Sequence, residues 1–320
     1  MKILVPINNL ELVSEFVKAG ADEFYVGFHD ENWTSTFGEY SDINRMSGFG
    51  KIANLCSFKD LDQVAEIVLK FGKRLYVTLN ANSYDTRELD YIATHYCPSL
   101  QRIGIAGVIC SDIPTVRCMR NYGLNVTIST MAGVYNQYIA QEYVDLGVER
   151  IILPRDLTLE EIRAIVTATS NVEYEVFHMR NGCVFSDPFC LGFHRPECGS
   201  TCSFIKHKDS KTITSRKAFA ELDSMAFNDL IYNSLFHAYS CAMCAIYDFL
   251  KIGISSLKIV GRADDPKSVL YDVSLSVKNL EIAKSCSSRD EYLSAMIMSD
   301  KMPSMCRSGL SCYYPEIRYG

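Results

Sequence analysis

Six cysteines lie in one stretch of the chain and form its densest group of residues able to do chemistry. Thiolates are soft, polarizable ligands that suit iron-sulfur clusters and zinc, and four of them hold either centre. Cysteine spacing alone does not separate these two centres, and six thiols for four positions leave two as spectators. The plainest alternative is that they are buried and pack as small hydrophobic groups. The six are Cys183, Cys190, Cys198, Cys202, Cys241 and Cys244.

Composition indicates the cellular environment in which these thiols act. The chain has 320 residues, 13 cysteines and a net charge of -6. Its first residues predict a strand rather than an export signal, and no apolar run reaches the roughly 18 residues of a membrane helix. We therefore expect a soluble, cytoplasmic protein whose thiols stay reduced, which favours metal or redox chemistry. The negative net charge does not favour nucleic-acid binding, although it is compatible with a local basic patch on the surface.

Helices and apolar runs alternate along the chain in a recurring pattern. A helix ends at a glycine and a β-branched or aromatic run soon follows, as in KFGKRLYVTLN from Lys70 and KIGISSLKIVGR from Lys251. Unbroken apolar runs are typical of parallel strands covered on both faces. Eight such strands predict an α/β fold, a (β/α)8 TIM-like barrel rather than an open doubly wound sheet. They are residues 3–7, 23–27, 74–79, 107–110, 126–129, 150–153, 173–177 and 256–260.

A long interruption without a clean period separates the seventh and eighth predicted strands. It spans about residues 179–244 and holds the six cysteines. A structureless loop of this length is uncommon in a compact domain unless it is functional. We predict a barrel domain over 1–286 with a cysteine-rich, cluster-binding insertion at its C-terminal mouth. A helix near 266–286 closes the barrel, and 287–320 form a C-terminal tail.

The order of several motifs resembles that of a known family. EVFHMRNGC-x6-C, then ECGSTC, then a helix leading to SLKIVGR are similar to peptidase family U32, the collagenase-like peptidases. The N-terminal VPINNLELVSEFVKAGADEFYVG and the later VERIILPRDLTLEEI also resemble successive βα units of that family. The resemblance covers roughly the first 280 residues, and it implies the same barrel.

The resemblance also implies a cofactor and a type of reaction. Several family members carry a [4Fe-4S] cluster and support oxygen-independent hydroxylation, in ubiquinone synthesis or on RNA bases, with prephenate implicated as the hydroxyl source. Carried over by position, the implied ligands are Cys183, Cys190, Cys198 and Cys241, with Cys202 and Cys244 as alternates. The chain departs from the family where Val260 replaces a glutamate and where His178 is displaced by one residue.

Polar residues that follow the predicted strands are the other candidates, because catalysis in such barrels sits at the C-terminal mouth. Arg155 and Arg262 follow strands six and eight, and two guanidinium groups can clamp a dicarboxylate such as prephenate. The alternative is that both are ion-pair partners at the barrel rim. We predict Asn80, Arg155 and Arg262 as substrate-binding residues. The predicted catalytic residues are Asp112, His178 and Arg155, and His194 is a further proton donor or ligand, or a structural histidine.

Three functions stay open on these residues. The first is an iron-sulfur enzyme of the hydroxylase type that acts on a small molecule, a peptide or an RNA. The second is a U32-type peptidase, although the chain has no His-Glu-x-x-His, Gly-x-Ser-x-Gly or recognisable cysteine-histidine signature. The third is a non-catalytic, cluster-bearing subunit that needs a protein partner or redox donor. Cys306 and Cys312 form either a second metal site with Cys56 or ordinary tail cysteines.

Overall fold

Eight parallel strands close into a barrel in the computed structural model, which describes residues 1–183, 186–190, 194, 240–299, 306 and 312–318. Closure is shown by β1, whose Leu4 is in register with Glu23 on one side and Lys258 on the other. The TIM-like barrel predicted from the sequence is therefore confirmed. The strands are β1 Lys2–Pro6, β2 Glu23–Phe28, β3 Asn54–Leu55, β4 Arg74–Leu79, β5 Gly107–Cys110, β6 Val126–Ile128, β7 Arg150–Ile152, β8 Glu173–Met179 and β9 Ser256–Ile259.

The short β3 lies outside the barrel proper and was not predicted. It pairs with the end of β2, where Gly27 is in register with Asn54. The other eight strands begin and end within two residues of their predicted positions. The predicted cysteine-rich insertion falls between β8 and β9, and most of it lies outside the described residues.

Helices surround the barrel and supply its outer layer. The helix predicted near 266–286 runs over Pro266–Ser285. A π-helical turn over Ile92–Tyr96 joins two of the shorter helices. No helix in the described ranges is long and apolar enough to cross a membrane. The helices are α1 Leu12–Ala19, α2 Glu31–Phe37, α3 Phe58–Lys70, α4 Thr86–Tyr91, α5 Cys97–Ile103, α6 Ile113–Asn121, α7 Gln137–Asp145, α8 Leu159–Ala168, α9 Ile246–Ile252, α10 Pro266–Ser285 and α11 Arg289–Ala295.

Local sequence explains where these helices begin and end. Gly20 ends α1 with φ of 102°, a left-handed conformation that suits glycine, and its N–H caps the carbonyls of the last turn. Thr158 and Glu161 form a capping box at the start of α8, so two otherwise unpaired backbone donors are satisfied. These stops let each helix return the chain to the next strand.

A network of buried charges fills the barrel interior below the mouth. The Arg150 guanidinium is 2% exposed and binds Glu23 at 2.6 Å and Glu175 at 3.1 Å. Lys258 binds the other oxygen of Glu175 at 2.9 Å. Burial raises the pKa of Glu23, but the hydrogen bonds and charge of Arg150 outweigh this effect and leave it below its usual value. Arg150 thus joins the two buried carboxylates, which otherwise rely on Lys258, Lys2 and Arg74.

Replacing Arg150 tests how far the barrel depends on this network. Arg150→Leu leaves buried carboxylates without their main cation, so we expect the free energy of unfolding to fall by about 3–5 kcal/mol. Arg74→Leu is the matched control, because Arg74 contacts the same Glu23 at 3.5 Å but is 38% exposed, and it should cost about 1 kcal/mol or less. Equal losses in denaturant titrations of the two variants would contradict a structural role specific to Arg150.

Candidate functional site

The end of β8 pairs with the segment that returns from the insertion. Met179 and Cys241 form an antiparallel bridge, and the Arg180 N–H donates to the Ser240 carbonyl at 2.7 Å. Since Cys183 follows this ladder by only a few residues, the first and last implied cluster cysteines reach the same mouth of the barrel. They are far apart in sequence, and backbone hydrogen bonding is what joins them.

The backbone leading into Cys183 adopts an uncommon conformation. Arg180 and Asn181 have φ of 67° and 49°, in the left-handed region that side chains disfavour. Arg180 is held by ion pairs to Asp264 at 3.0 Å and to Asp272. The surrounding contacts therefore maintain a turn that directs the chain away from β8 and toward the cysteine.

A buried aspartate lies between two arginines at the mouth. Asp187 is fully buried and binds Arg45 at 2.5 Å and Arg155 at 2.8 Å. Burial alone would raise the pKa of Asp187, but the charges and hydrogen bonds of the two arginines hold it well below its usual range. Arg155 also donates to the Asn181 carbonyl at 2.5 Å and lies 4.2 Å from the Phe177 ring centre. Arg155 is thus already engaged by protein groups.

Two of the predicted cluster ligands, Cys183 and Cys190, lie near these ion pairs. Burial alone would lower the pKa of Arg155, but the charge of Asp187 and a smaller contribution from nearby Cys183 raise it above its usual value. The pKa of Arg45 is likewise raised, by the charges of Asp187 and Cys190. The Asn82 amide donates to the Cys190 carbonyl at 2.7 Å. No three potential ligands among the described residues already stand at metal-binding distances from one another. The predictions for two cysteines lie outside the described residues, namely Cys198 and Cys202.

Arg262 differs from Arg155 in having only neutral partners. Its guanidinium donates to the Thr78 hydroxyl at 3.1 Å and to the Asn44 amide oxygen at 3.3 Å, and no carboxylate pairs with it among the described residues. Burial lowers the pKa of Arg262 to about 10. Gly27 makes room for it, because a Cβ there would lie 1.9 Å from an Arg262 nitrogen. Arg262 is therefore a buried cation whose charge is available to an anionic ligand.

Small polar side chains extend the mouth from Arg262 along the neighbouring strands. Asn80 donates to the Ser129 hydroxyl at 3.3 Å, and its oxygen accepts from the Arg45 N–H at 3.4 Å. Ser111, directly after β5, has a buried hydroxyl without a hydrogen-bond partner in the described structure. A buried hydroxyl of this kind is a ready partner for a bound molecule.

Two predicted catalytic residues lie away from this group. Asp112 caps α6, where it accepts from the Thr115 N–H at 2.8 Å. His178 is fully buried between β8 and α10, with one ring nitrogen 3.0 Å from the Ser276 hydroxyl and the other without a partner. Burial lowers the pKa of His178 to about 3, so the ring is neutral near pH 7. Their catalytic roles stay predictions that their positions do not support.

Several residues of the mouth were missed in the sequence. Asp187 sits between the cysteines of Cys-x6-Cys, and its place there is a signal that could have identified it. Asn44 lies in a loop without any motif. Tyr313 comes from the tail, stacks on Phe177 with ring centres 6.2 Å apart, and donates to the Arg180 carbonyl. The tail also brings Cys312 beside Cys241 rather than beside Cys56.

Comparisons with known proteins agree with the family resemblance of the sequence motifs. The family model described as Peptidase family U32 matches residues 8–283. A 23S rRNA 5-hydroxycytidine synthase of Escherichia coli is 25% identical over 277 residues, 83% of this chain and 37% of that protein. A tRNA hydroxylation protein P of Helicobacter pylori is 26% identical over 213 residues, which cover 64% of this chain and 47% of that protein. A collagenase of Porphyromonas gingivalis is 25% identical over 164 residues, covering 51% and 35%.

The chain spans less than half the length of each of these curated relatives. Among solved structures, that of a U32 peptidase is similar with a TM-score of 0.48 and 12% identity, and the match covers 82% of this chain and 94% of that one.

The buried His178 predicts a measurable acid sensitivity. Its folded pKa of about 3 lies below the ordinary value of 6.5, so as pH falls below about 6.5 the unfolded chain binds a proton that the folded chain refuses. Stability from this group is thus complete above pH 6.5 and is lost toward pH 3. We expect the advantage of the wild type over His178→Gln to shrink by about 1.4 kcal/mol per pH unit between pH 6 and 4.

Denaturant titrations at several pH values measure this difference, with His95→Gln as the control at an exposed position. A constant offset between wild type and His178→Gln across the range would show that His178 does not resist protonation.

Proposed function

We propose that this chain, which belongs to peptidase family U32, is an iron-sulfur enzyme that hydroxylates its substrate without molecular oxygen. The observation that carries the proposal is the pairing of two features at one mouth. The β8 ladder brings Cys241 to the end of the strand that leads into Cys183, and Arg262 offers a buried positive charge with only neutral partners. The first feature suits a thiolate-bound cluster, and the second suits an anionic reactant.

The residues present fit a [4Fe-4S] cluster by the chemistry of their donors. Cys183, Cys190 and Cys241 would supply three thiolates, and Cys198 or Cys202 the fourth, with Cys244 as the alternate to Cys241. A cluster with four thiolates carries net negative charge, and the Arg45–Asp187–Arg155 group beside it carries a net positive one. Such nearby charge stabilises thiolate and tunes a cluster's potential. When bound, the cluster would supply electron transfer or substrate activation.

The protein's own groups would bind and orient the anionic reactant. Arg262 presents a planar guanidinium that pairs with a carboxylate through two hydrogen bonds. Thr78 and Asn44 fix its orientation, and Gly27 allows its close approach to β2. Arg155 takes a different part from the predicted clamp, because Asp187 neutralises it and the pair supports the cysteine loop. A dicarboxylate such as prephenate would therefore rely on Arg262 and on neutral donors.

Those neutral donors lie on the strands next to Arg262. Asn80 and the unpartnered Ser111 hydroxyl can bind the reactant's second polar end. Tyr313 covers Phe177 beside the cysteine loop, and its hydrogen bond to the Arg180 carbonyl keeps it there. This cover would limit the access of water to the mouth.

The second reactant is proposed to be an RNA base. Support comes from the relatives named as an rRNA 5-hydroxycytidine synthase and a tRNA hydroxylation protein. The chain's net charge of -6 gives little long-range attraction to RNA, and the chain spans less than half the length of those relatives. A partner protein or redox donor would take part in the reaction.

Cluster content is the first test. Anaerobically purified protein should contain about four irons and four sulfides per chain, with the matching visible and EPR spectra. Cys183→Ala should lose most of the iron while remaining folded. Cys286→Ala, which removes a half-buried thiol at the end of α10, is the control and should keep it. Zinc alone, or no metal in a folded anaerobic sample, would rule out the cluster.

Anion binding at Arg262 is tested separately from the cluster. Titration with prephenate should give saturable binding that weakens at least tenfold in Arg262→Gln and severalfold in Arg262→Lys, which keeps the charge but loses the planar fork. Arg102→Gln removes a cation that is 65% exposed on α5 and should bind like wild type. Equal affinity in all four proteins would place the anion elsewhere.

The reaction itself is tested on nucleosides from total RNA. Mass spectrometry of cells with and without the gene should show one hydroxylated nucleoside that disappears on deletion and returns with the wild type, but not with Cys183→Ala. Return only alongside a second protein would favour the subunit hypothesis. An unchanged nucleoside profile together with cluster-independent cleavage of gelatin would favour the peptidase.

A further inference from the structure

The C-terminal segment 312–318 adds a third member to the short ladder at the barrel mouth. Cys241 is bridged on one side to Met179, at the end of β8, and on the other side to Cys312. The Tyr313 N–H donates to the Cys241 carbonyl at 3.1 Å, so the backbone hydrogen bonding continues into this segment. The segment that carries an implied cluster ligand therefore lies between β8 and the tail.

Outer helices hold the C-terminal segment against the barrel. Tyr314 is 1% exposed and packs edge-on against Phe249 of α9, with ring centres 5.2 Å apart. Glu316 accepts from the first backbone N–H of α8 at 2.9 Å. The Ile317 carbonyl accepts from Arg289 of α11 at 2.6 Å. Contacts with three different helices thus fix where Tyr313 enters the mouth.

The side chain of Tyr313 reaches past the Cys241 segment to the turn that leads into Cys183. Its hydroxyl donates to the Arg180 carbonyl at 2.5 Å. Arg155 donates to the carbonyl of the next residue, Asn181, also at 2.5 Å. Both residues of this turn have positive φ, a conformation that persists only where the surrounding structure enforces it. Two side chains therefore bind the two carbonyls of the strained turn.

Phe177 of β8 supports both of these side chains. The Tyr313 ring stacks on it with centres 6.2 Å apart, and the Arg155 guanidinium lies 4.2 Å from its ring centre. Arg155 has a further partner in Asp187 at 2.8 Å. Tyr313 is 7% exposed and is held by the ladder, the stack and its hydroxyl bond. Its ring and hydroxyl are thus fixed in one orientation.

We propose that Tyr313 is a positioning residue that holds the segments bearing Cys183 and Cys241 in a fixed relative position. Its N–H binds the Cys241 segment, and its hydroxyl binds the turn before Cys183, so one residue connects both. Tyr313 lies beyond residues 8–283, which match the family model, so the family match does not assign it this role. The inference rests on the proposed function, because the two thiols are implied ligands of the proposed cluster.

Hydrogen exchange of the full-length, metal-free chain tests the connection without a cluster. Tyr313→Phe keeps the ring and the backbone N–H but loses the hydroxyl. We expect amides in a peptide covering 177–183 to exchange about fivefold faster, as the loss of one hydrogen bond predicts. Tyr313→Ala, which also loses the stack on Phe177, should have a larger effect.

Tyr247→Phe is the matched control for this experiment. The Tyr247 side chain is also mostly buried, and its hydroxyl donates to a backbone carbonyl, that of Ser287, at 2.8 Å. This bond joins α9 to the turn after α10 and does not touch the turn before Cys183. We expect a similar small fall in Tm for Tyr247→Phe and Tyr313→Phe, but unchanged exchange in the 177–183 peptide of the control.

Iron release from anaerobically purified protein tests what the connection does for the cluster. With a ferrous chelator in excess, Tyr313→Phe should release its iron about fivefold faster than wild type, by the same loss of one hydrogen bond. Its EPR spectrum should also differ from that of wild type, because the ligand segments are less fixed. Tyr247→Phe should match wild type in both measurements.

The outcomes separate this proposal from the proposed function. Wild-type exchange and iron release in a folded Tyr313→Phe would overturn the positioning role. Equal effects in Tyr247→Phe would also overturn it, since a general loss of stability would then explain them. Faster exchange in Tyr313→Phe together with a wild type that binds no iron would support the connection of the two segments and contradict the proposed function.

Discussion

The candidate site depends on one set of backbone hydrogen bonds, those between the end of β8 and the segment that begins at Ser240. They extend the sheet past the last residue of the strand and fix the point at which the chain re-enters the barrel. Without them Cys183 and Cys241 would be joined only through a long connection. With them, β9 follows α9 into its place between β1 and β8, so closure of the barrel and the approach of Cys241 to the end of β8 share one cause.

Buried cations are paired with carboxylates in the barrel interior but not at every position of the mouth. In the interior, Arg150 and Lys258 are matched by buried carboxylates. At the cysteine loop, Asp187 neutralises one of its two arginine partners. Arg262 alone among these buried cations has neutral partners in the described structure, which costs solvation energy that a bound anion would recover. The uncompensated charge of Arg262 therefore marks the position at which an anionic ligand would be most stabilising.

The relatives that this member of peptidase family U32 matches differ in activity, and a collagenase and RNA hydroxylation proteins are among them. The barrel alone cannot choose between such activities, since one fold hosts many reactions. The mouth is more informative. It presents thiols and a buried cation, whereas the predicted catalytic residues Asp112 and His178 serve as a helix cap and a buried strand-helix contact. This chemistry suits electron transfer and anion binding better than peptide hydrolysis.

The sequence by itself determined the barrel and the position of six cysteines between its last two strands. Glycine stops and unbroken apolar runs are local signals, so they placed eight strands without knowledge of their neighbours. Tertiary structure decided which residues meet. Arg155 and Arg262 look alike in sequence, but only the fold gives Asp187 to one and Asn44 to the other. His178 and Cys312 were equally ambiguous, because burial against α10 and return of the tail to Cys241 are long-range contacts that no local pattern encodes.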